Sequence, residues 1–207
     1  MSDIGVIRPE GDNVENALSA WAGLVLAGVW GARHVSVHDL KGSSVTQSAV
    51  EILMKKSDVT MYFGHGDQDR LGSPQKCLVD SANIFEAAGR VVIAIACKAA
   101  SNLGPDAVSS NNTVRAFLGF DDVLTVYLPW PSLFGHVMEK AIIPFLLSRF
   151  SIADVRSMLI SGFQMIENTY CDPNLGGKHP DANIIWMAAH INWRGIKLLG
   201  DTSATIP

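Results

Sequence analysis

The chain has 207 residues, with 16 Lys+Arg against 20 Asp+Glu and a formal net charge of −4. At ~100–200 residues per domain this length predicts one domain across residues 1–207, large enough to bury a core without staples. Charged residues make up 17% of the chain, below the roughly 25% usual in soluble domains, and hydrophobic residues reach 48%. That balance argues against disorder and for a sheet buried on both faces. No Lys/Arg-rich run is present to neutralise phosphates, so nucleic acid is not an expected partner. Three cysteines, Cys77, Cys97 and Cys171, form an odd set without CxxC spacing. They argue against a disulfide framework or a Cys-based zinc site and point to a cytoplasmic setting. The opening MSDIGVIRPE has no charged leader followed by an apolar stretch, so no signal peptide is expected. The uncharged run from Asn16 to Ala32 falls short of the ~20 apolar residues of a membrane span and predicts a buried helix instead.

In chain order, Asp12 and Glu15 open the first predicted helix: Asp12 caps and Glu15 reaches back, and the helix runs to about Trp30. Arg33 to His38 alternates at period two and predicts a short strand. A second capping pattern at Ser44–Gln47 precedes a helix with Val50, Leu53 and Met54 on one stripe and Lys55 and Lys56 in its last turn. Val59 to Phe63 is a strand running into Gly64-His65-Gly66. Cys77 to Val79 predicts a short strand, and Ser81 to Ala88 a helix closed by Gly89. Val91 to Ala96 is continuously apolar, as in a central strand of a parallel sheet, and stops at Cys97. Further on come a short helix within Leu103–Ser110, a strand at Val123–Tyr127, and helices over about Ser132–Phe150, Ile152–Tyr170 and Asn183–Leu198. Alternation of this kind with short connections predicts an α/β fold, a mainly parallel β-sheet with helices on both faces.

Ligands of open parallel sheets bind beyond the carboxyl ends of the strands. Two predicted strands deliver reactive residues there, one His65 between glycines and the other Cys97 after Ala96. A thiolate and an imidazole are the minimum set for covalent acyl transfer: one attacks the carbonyl, the other takes a proton and returns it to the leaving amine. The N–H groups of Gly66 and Cys97 are the candidate donors to the oxyanion, each worth roughly 3–4 kcal/mol when well placed.

The strand–HG pattern VTMYFGHG, the strand–AC pattern VVIAIAC and the terminal stretch Trp193 to Asp201 (WRGIKLLGD) occur in this order. The trio resembles the caspase/gingipain-type clan of cysteine peptidases, and most nearly the bacterial CHAT domains and gingipain-like catalytic domains, over roughly residues 12–204. The resemblance implies a three-layer caspase-like sandwich and a cysteine endopeptidase with His65 as general base and acid and Cys97 as nucleophile. It also implies a Cys–His dyad needing no metal or other cofactor, and no residue stands out in the sequence as a third catalytic group. A protein or peptide substrate and a regulatory protein partner acting in trans are further expectations from it. In several members the residue two before the nucleophile is polar or acidic and lines the specificity pocket. Here it is Ile95, which leaves the preferred residue open; Asp67, Asp121 and Asp122 are the candidates for an acidic wall.

Other readings have less behind them. His34 and His38 share a face of a predicted strand but sit too far apart for one ion. Neither a GxSxG elbow nor a P-loop is present. Trp186 and Trp193 share a helix face and read as core, and Cys77 and Cys171 as bystanders. The segments 67–74 and 98–117 flank the proposed site as loops. The rival functions are a binding or scaffolding module that does not use the dyad, and a Cys-dependent hydrolase of small esters or amides.

Overall fold

A computed structural model describes residues 1–207. Its centre is a six-stranded sheet built from β1 (Ser2–Arg8), β2 (Val35–Lys41), β3 (Val59–Phe63), β6 (Val91–Ile95), β7 (Ala116–Phe120) and β8 (Ile196–Gly200). The spatial order is β2-β1-β3-β6-β7-β8, parallel throughout except for β8, which runs antiparallel to β7. A separate antiparallel hairpin pairs β4 (Arg70–Ser73) with β5 (Lys76–Asp80).

The period-two rule sorts the strand side chains into two cores. Ile4, Val6, Val59, Met61, Phe63, Val91, Ile93, Ile95, Leu118 and Phe120 face a cluster of 37 buried residues. That cluster is completed by α1 (Asn13–Val29), α4 (Ser132–Leu146), α5 (Ile152–Cys171) and α6 (Ala182–Gly195). Ile7, Tyr62, Val92, Ala94 and Phe117 point the other way, into a second cluster of 20. There α2 (Gln47–Lys56), α3 (Leu103–Val108) and the β4–β5 hairpin cover the sheet. Strands β3 and β6 are fully buried along their length, which is why β6 is a continuous apolar run and β3 is interrupted only by Thr60 and the hydroxyl of Tyr62.

The sequence-based expectations hold for α1, α2, α4, α5 and α6 with shifts of a few residues at their ends, and β3 matches Val59–Phe63. Others change. Ser81–Ala88 is not an α-helix; only Ile84–Ala87 coils, as a 3-10 turn. Val123–Tyr127 is not a strand: the strand is Ala116–Phe120, and the later segment leaves the sheet. Its apolar alternation is met by burial of Leu124 and Tyr127 under the helices rather than by a neighbouring strand. The last helix ends at Gly195, where the chain turns into β8. The run Asn16–Ala32 lies mostly in α1, with Trp21, Ala22 and Val25 in the core, and no helix is long and apolar enough to cross a membrane.

Candidate active site

Strands β3 and β6 pair in parallel with Phe63 opposite Ile95. His65 and Cys97, each two residues further on, therefore leave the sheet at the same edge and side by side. Gly66 makes this approach possible: a Cβ there would lie 2.9 Å from Ala96 Cβ and 3.1 Å from the Cys97 carbonyl oxygen. Any larger residue would push the two strand ends apart. The N–H groups of Gly66 and Cys97 make no hydrogen bond within the protein.

The His65 backbone is held by its carbonyl, which accepts from the Tyr62 hydroxyl at 2.8 Å and from the Gly72 N–H at 2.9 Å. Its ring is held by Asp12, whose Oδ2 lies 2.7 Å from Nε2. The other oxygen, Oδ1, accepts the N–H groups of Val14 and Glu15 at 2.9 Å each, capping α1. The Glu15 N–H, and after it the His65 ring, hold the Asp12 carboxyl below the usual carboxylate range. Asp12 is the residue that sequence reasoning saw only in part. Its cap was legible, but its place beside His65 follows from β1, which ends at Arg8 next to β3 and was not foreseen.

The strand order reverses between β1 and β3, since the chain leaves β1 for β2 on one side and continues through β3 on the other. Such switch points are where parallel sheets open a crevice. A polar cleft of about 460 Å³ opens there between Glu10, Asp12 and Glu15 after β1, His65 and Asp67 after β3, and the hairpin tip at Ser73–Lys76.

Cys97 is half-buried and does not line this cleft. Its sulfur lies against Leu124, accepting that residue's N–H at 3.3 Å, with the Leu124 carbonyl 3.7 Å away. No hydrogen bond joins Cys97 to His65; each is held from its own outer side. Lys98 follows at a φ of +55°, a conformation uncommon outside glycine, and its N–H donates to the Asp122 carbonyl at 2.9 Å.

The candidate wall residues separate. Asp67 is in the cleft, where it closes a turn onto the Asp69 and Arg70 N–H groups and pairs with the Arg70 guanidinium at 2.8 Å. Ile95 is fully buried on the α1/α4 side of the sheet, so its side chain meets core and not solvent. Asp121 and Asp122 follow β7, outside the cleft; Asp121 pairs with Lys197 at 3.1 Å and Asp122 accepts the Val123 N–H. The segment after Cys97 is less loop-like than its composition suggested, since it contains α3 and the start of β7. Similarly, 67–74 holds β4.

Several carboxyls are held below their ordinary values by specific donors: Asp3 by His38, Asp12 by the Glu15 N–H, Asp154 by the Ser151 hydroxyl and Asp201 by the Ser203 hydroxyl. A depressed folded value means stability that is present above the unfolded value near 4 and is lost as pH falls through the folded one. The urea midpoint is therefore expected to hold between pH 7 and 5 and to fall below pH 4; a midpoint that rises on acidification would contradict these contacts.

The chain matches no protein-family model and no curated protein sequence. Among solved structures it is similar to that of a secreted C11 cysteine protease from Bacteroides thetaiotaomicron in complex with an irreversible peptide inhibitor, at a TM-score of 0.53 and 10% identity. The match covers 81% of this chain and 59% of that one, so the chain spans less than two thirds of the length of that structure. At this identity the likeness is one of fold. The mostly parallel sheet between helical layers is the caspase-like sandwich implied by the strand–HG and strand–AC motifs.

Proposed function

We propose that the chain is a cysteine endopeptidase in which Cys97 attacks the peptide carbonyl and His65 moves the proton. The observation that carries this reading is the register of β3 on β6, with His65 and Cys97 leaving one sheet edge beside two unengaged N–H groups. The fold shared with a cysteine protease supports it. In the first half of the reaction the sulfur adds to the carbonyl and the oxyanion is received by the N–H groups of Gly66 and Cys97. The tetrahedral adduct collapses as His65 gives its proton to the leaving amine, which leaves a thioester on Cys97. Water, deprotonated by His65, then releases the acyl group and regenerates the thiol.

Asp12 extends the expected dyad. Its carboxylate accepts a hydrogen bond from Nε2–H, which leaves the other ring nitrogen as the one that exchanges a proton with the reacting groups, and it stabilises the imidazolium that forms. The order of the GHG, AC and GD motifs supports a place near CHAT and gingipain-like domains, acting on a protein substrate under a partner's control. Three unpaired cysteines fit work in a reducing, cytoplasmic compartment.

The test is a digest of a proteome-derived peptide mixture, read by mass spectrometry, with acid quenching at short times to trap the acyl-enzyme. New termini sharing one residue type and a thioester mapped to Cys97 are expected. A digest with no new termini both from the purified chain and from the chain assayed in a cell lysate that supplies the partner, or an adduct on Cys77 or Cys171, overturns the proposal.

A further inference from the structure

Asn192 is a fully buried amide on the inner face of α6, among Ala188, Ala189 and Gly195. A buried amide is costly unless its donors and acceptor are used. Here they are used on one residue: Asn192 Oδ1 accepts the Thr125 N–H at 2.8 Å, and Nδ2 donates to the Thr125 carbonyl at 2.9 Å. The side chain thus supplies what a neighbouring strand would have supplied to the segment 123–127. An aliphatic side chain would fill the same space without the desolvation cost, so the amide is there to fix this segment.

What it fixes is the surroundings of the sulfur. The residue before Thr125 is Leu124, whose N–H donates to Cys97 Sγ at 3.3 Å while its carbonyl accepts from the thiol at the longer distance of 3.7 Å. The residues just before that segment, Phe120–Asp122, are zipped to the chain that follows the cysteine. Lys98 N–H donates to the Asp122 carbonyl, the Ser101 hydroxyl to the Asp121 carbonyl at 2.8 Å and the Ala100 N–H to the Phe120 carbonyl at 2.8 Å. At its other side Asp121 N–H is held by the Gly195 carbonyl of α6 at 2.8 Å. An N–H aimed at sulfur strengthens as the sulfur becomes anionic, because charge-assisted bonds exceed neutral ones.

We propose that Asn192 is a positioning residue for the nucleophile: it holds the Leu124 peptide against Cys97 so that the N–H of that peptide receives the thiolate. The inference rests on the reading of Cys97 as the nucleophile. It assigns to α6, far along the chain, a part in the reaction that neither His65 nor Asp12 performs.

Iodoacetamide labelling of the three cysteines, followed residue by residue, tests it in Asn192→Ala and in the isosteric Asn192→Asp, which keeps the acceptor but loses the donor. Cys77 is the internal control for folding, since it lies in the hairpin on the opposite face of the sheet, where burial and then Asp80 push its thiol up. Labelling of Cys97 is expected to slow about tenfold with Cys77 unchanged. With peptide substrate, kcat is expected to fall by a similar factor at constant KM. In leucine-¹⁵N-labelled protein the Leu124 amide resonance is expected to move both in Cys97→Ala and in the Asn192 variants. Cys97 labelling that is unchanged or faster, with Cys77 still protected, overturns the proposal; should Asn192→Ala expose Cys77, Asn192→Asp decides. Slower labelling in a protein that cleaves no peptide retains the positioning role and removes the peptidase reading. An active wild type whose labelling ignores Asn192 removes the positioning role alone.

Discussion

Cys97→Ala is expected to abolish peptide hydrolysis, and His65→Ala to lower kcat by on the order of 10⁴, with the double variant no worse than Cys97→Ala alone. The size follows from the chemistry. Without the sulfur there is no acyl-enzyme, and only binding and the N–H groups of Gly66 and Cys97 act on the carbonyl. Without the imidazole the amine leaves unprotonated, which is the harder loss for an amide than for an activated ester. His65→Ala is therefore expected to be more damaging on peptides than on thioesters or aryl esters, whose leaving groups need no proton. Non-additivity is the sharper part of the prediction, because two residues that act as one unit cannot each be lost twice. Two independent tenfold losses that multiply in the double variant would mean that His65 and Cys97 do not work together. Neither substitution should change the fold: Cys97 is half-buried and its thiol meets only the N–H and carbonyl of Leu124, and the fixing contacts of His65 to Tyr62 and Gly72 run through its carbonyl.

The part of the fold that was legible in the sequence is the part where one requirement dominates. Strands β3 and β6 are covered on both faces, so β6 is wholly apolar and β3 nearly so, with Thr60 and the Tyr62 hydroxyl its polar groups, and they run into the GHG and AC turns. Two of the strands missed, β1 and β8, each serve a second requirement. In β1, Gly5 is needed because a Cβ there would lie 2.5 Å from the Ser57 hydroxyl, and Arg8 leaves the core to pair with Asp39 at 2.6 Å. That breaks the alternation a strand is recognised by. In β8, Lys197 turns out to meet Asp121, so IKLL reads equally well as one more turn of α6. Val123–Tyr127 shows the converse. Its pattern suits a strand, yet its backbone partner is the side chain of Asn192, and no local rule gives a signal for that. The placement of His65 and Cys97 at two adjacent strand ends was legible; their contacts, Asp12 and Leu124, arrive by tertiary packing from unrecognised neighbours. The candidates for an acidic wall separate for a related reason: Asp67 lines the cleft, whereas Asp121 is paired with Lys197, and the Ile95 side chain alternates to the core face that composition alone does not assign.

Asp12 carries two duties on two oxygens, and substitutions separate them. Asp12→Ser retains a cap acceptor for Val14 and Glu15 but leaves Nε2 without its carboxylate, so α1 should keep its stability while kcat falls about tenfold to a hundredfold. Asp12→Ala loses both, and adds about 1 kcal/mol of destabilisation from the uncapped helix. Asp12→Asn is expected to be the most damaging to turnover although it is the closest in shape. Its Oδ1 stays with the two N–H donors of the cap, because those groups can only donate. The Nδ2 amide then faces Nε2, which must become the unprotonated nitrogen to accept from it. The proton is driven to the other ring nitrogen, the one that has to take a proton from the reacting groups, and His65 is held in the wrong tautomer by an otherwise intact site. The predicted order of kcat is wild type, then Asp12→Ser, then Asp12→Asn, while the thermal midpoints of these two variants stay close to wild type and that of Asp12→Ala drops. Peptide hydrolysis and thermal melting on the same preparations check both orders at once. An Asp12→Asn protein that turns over as fast as Asp12→Ser would mean that the carboxylate serves the helix alone and that His65 selects its tautomer without it.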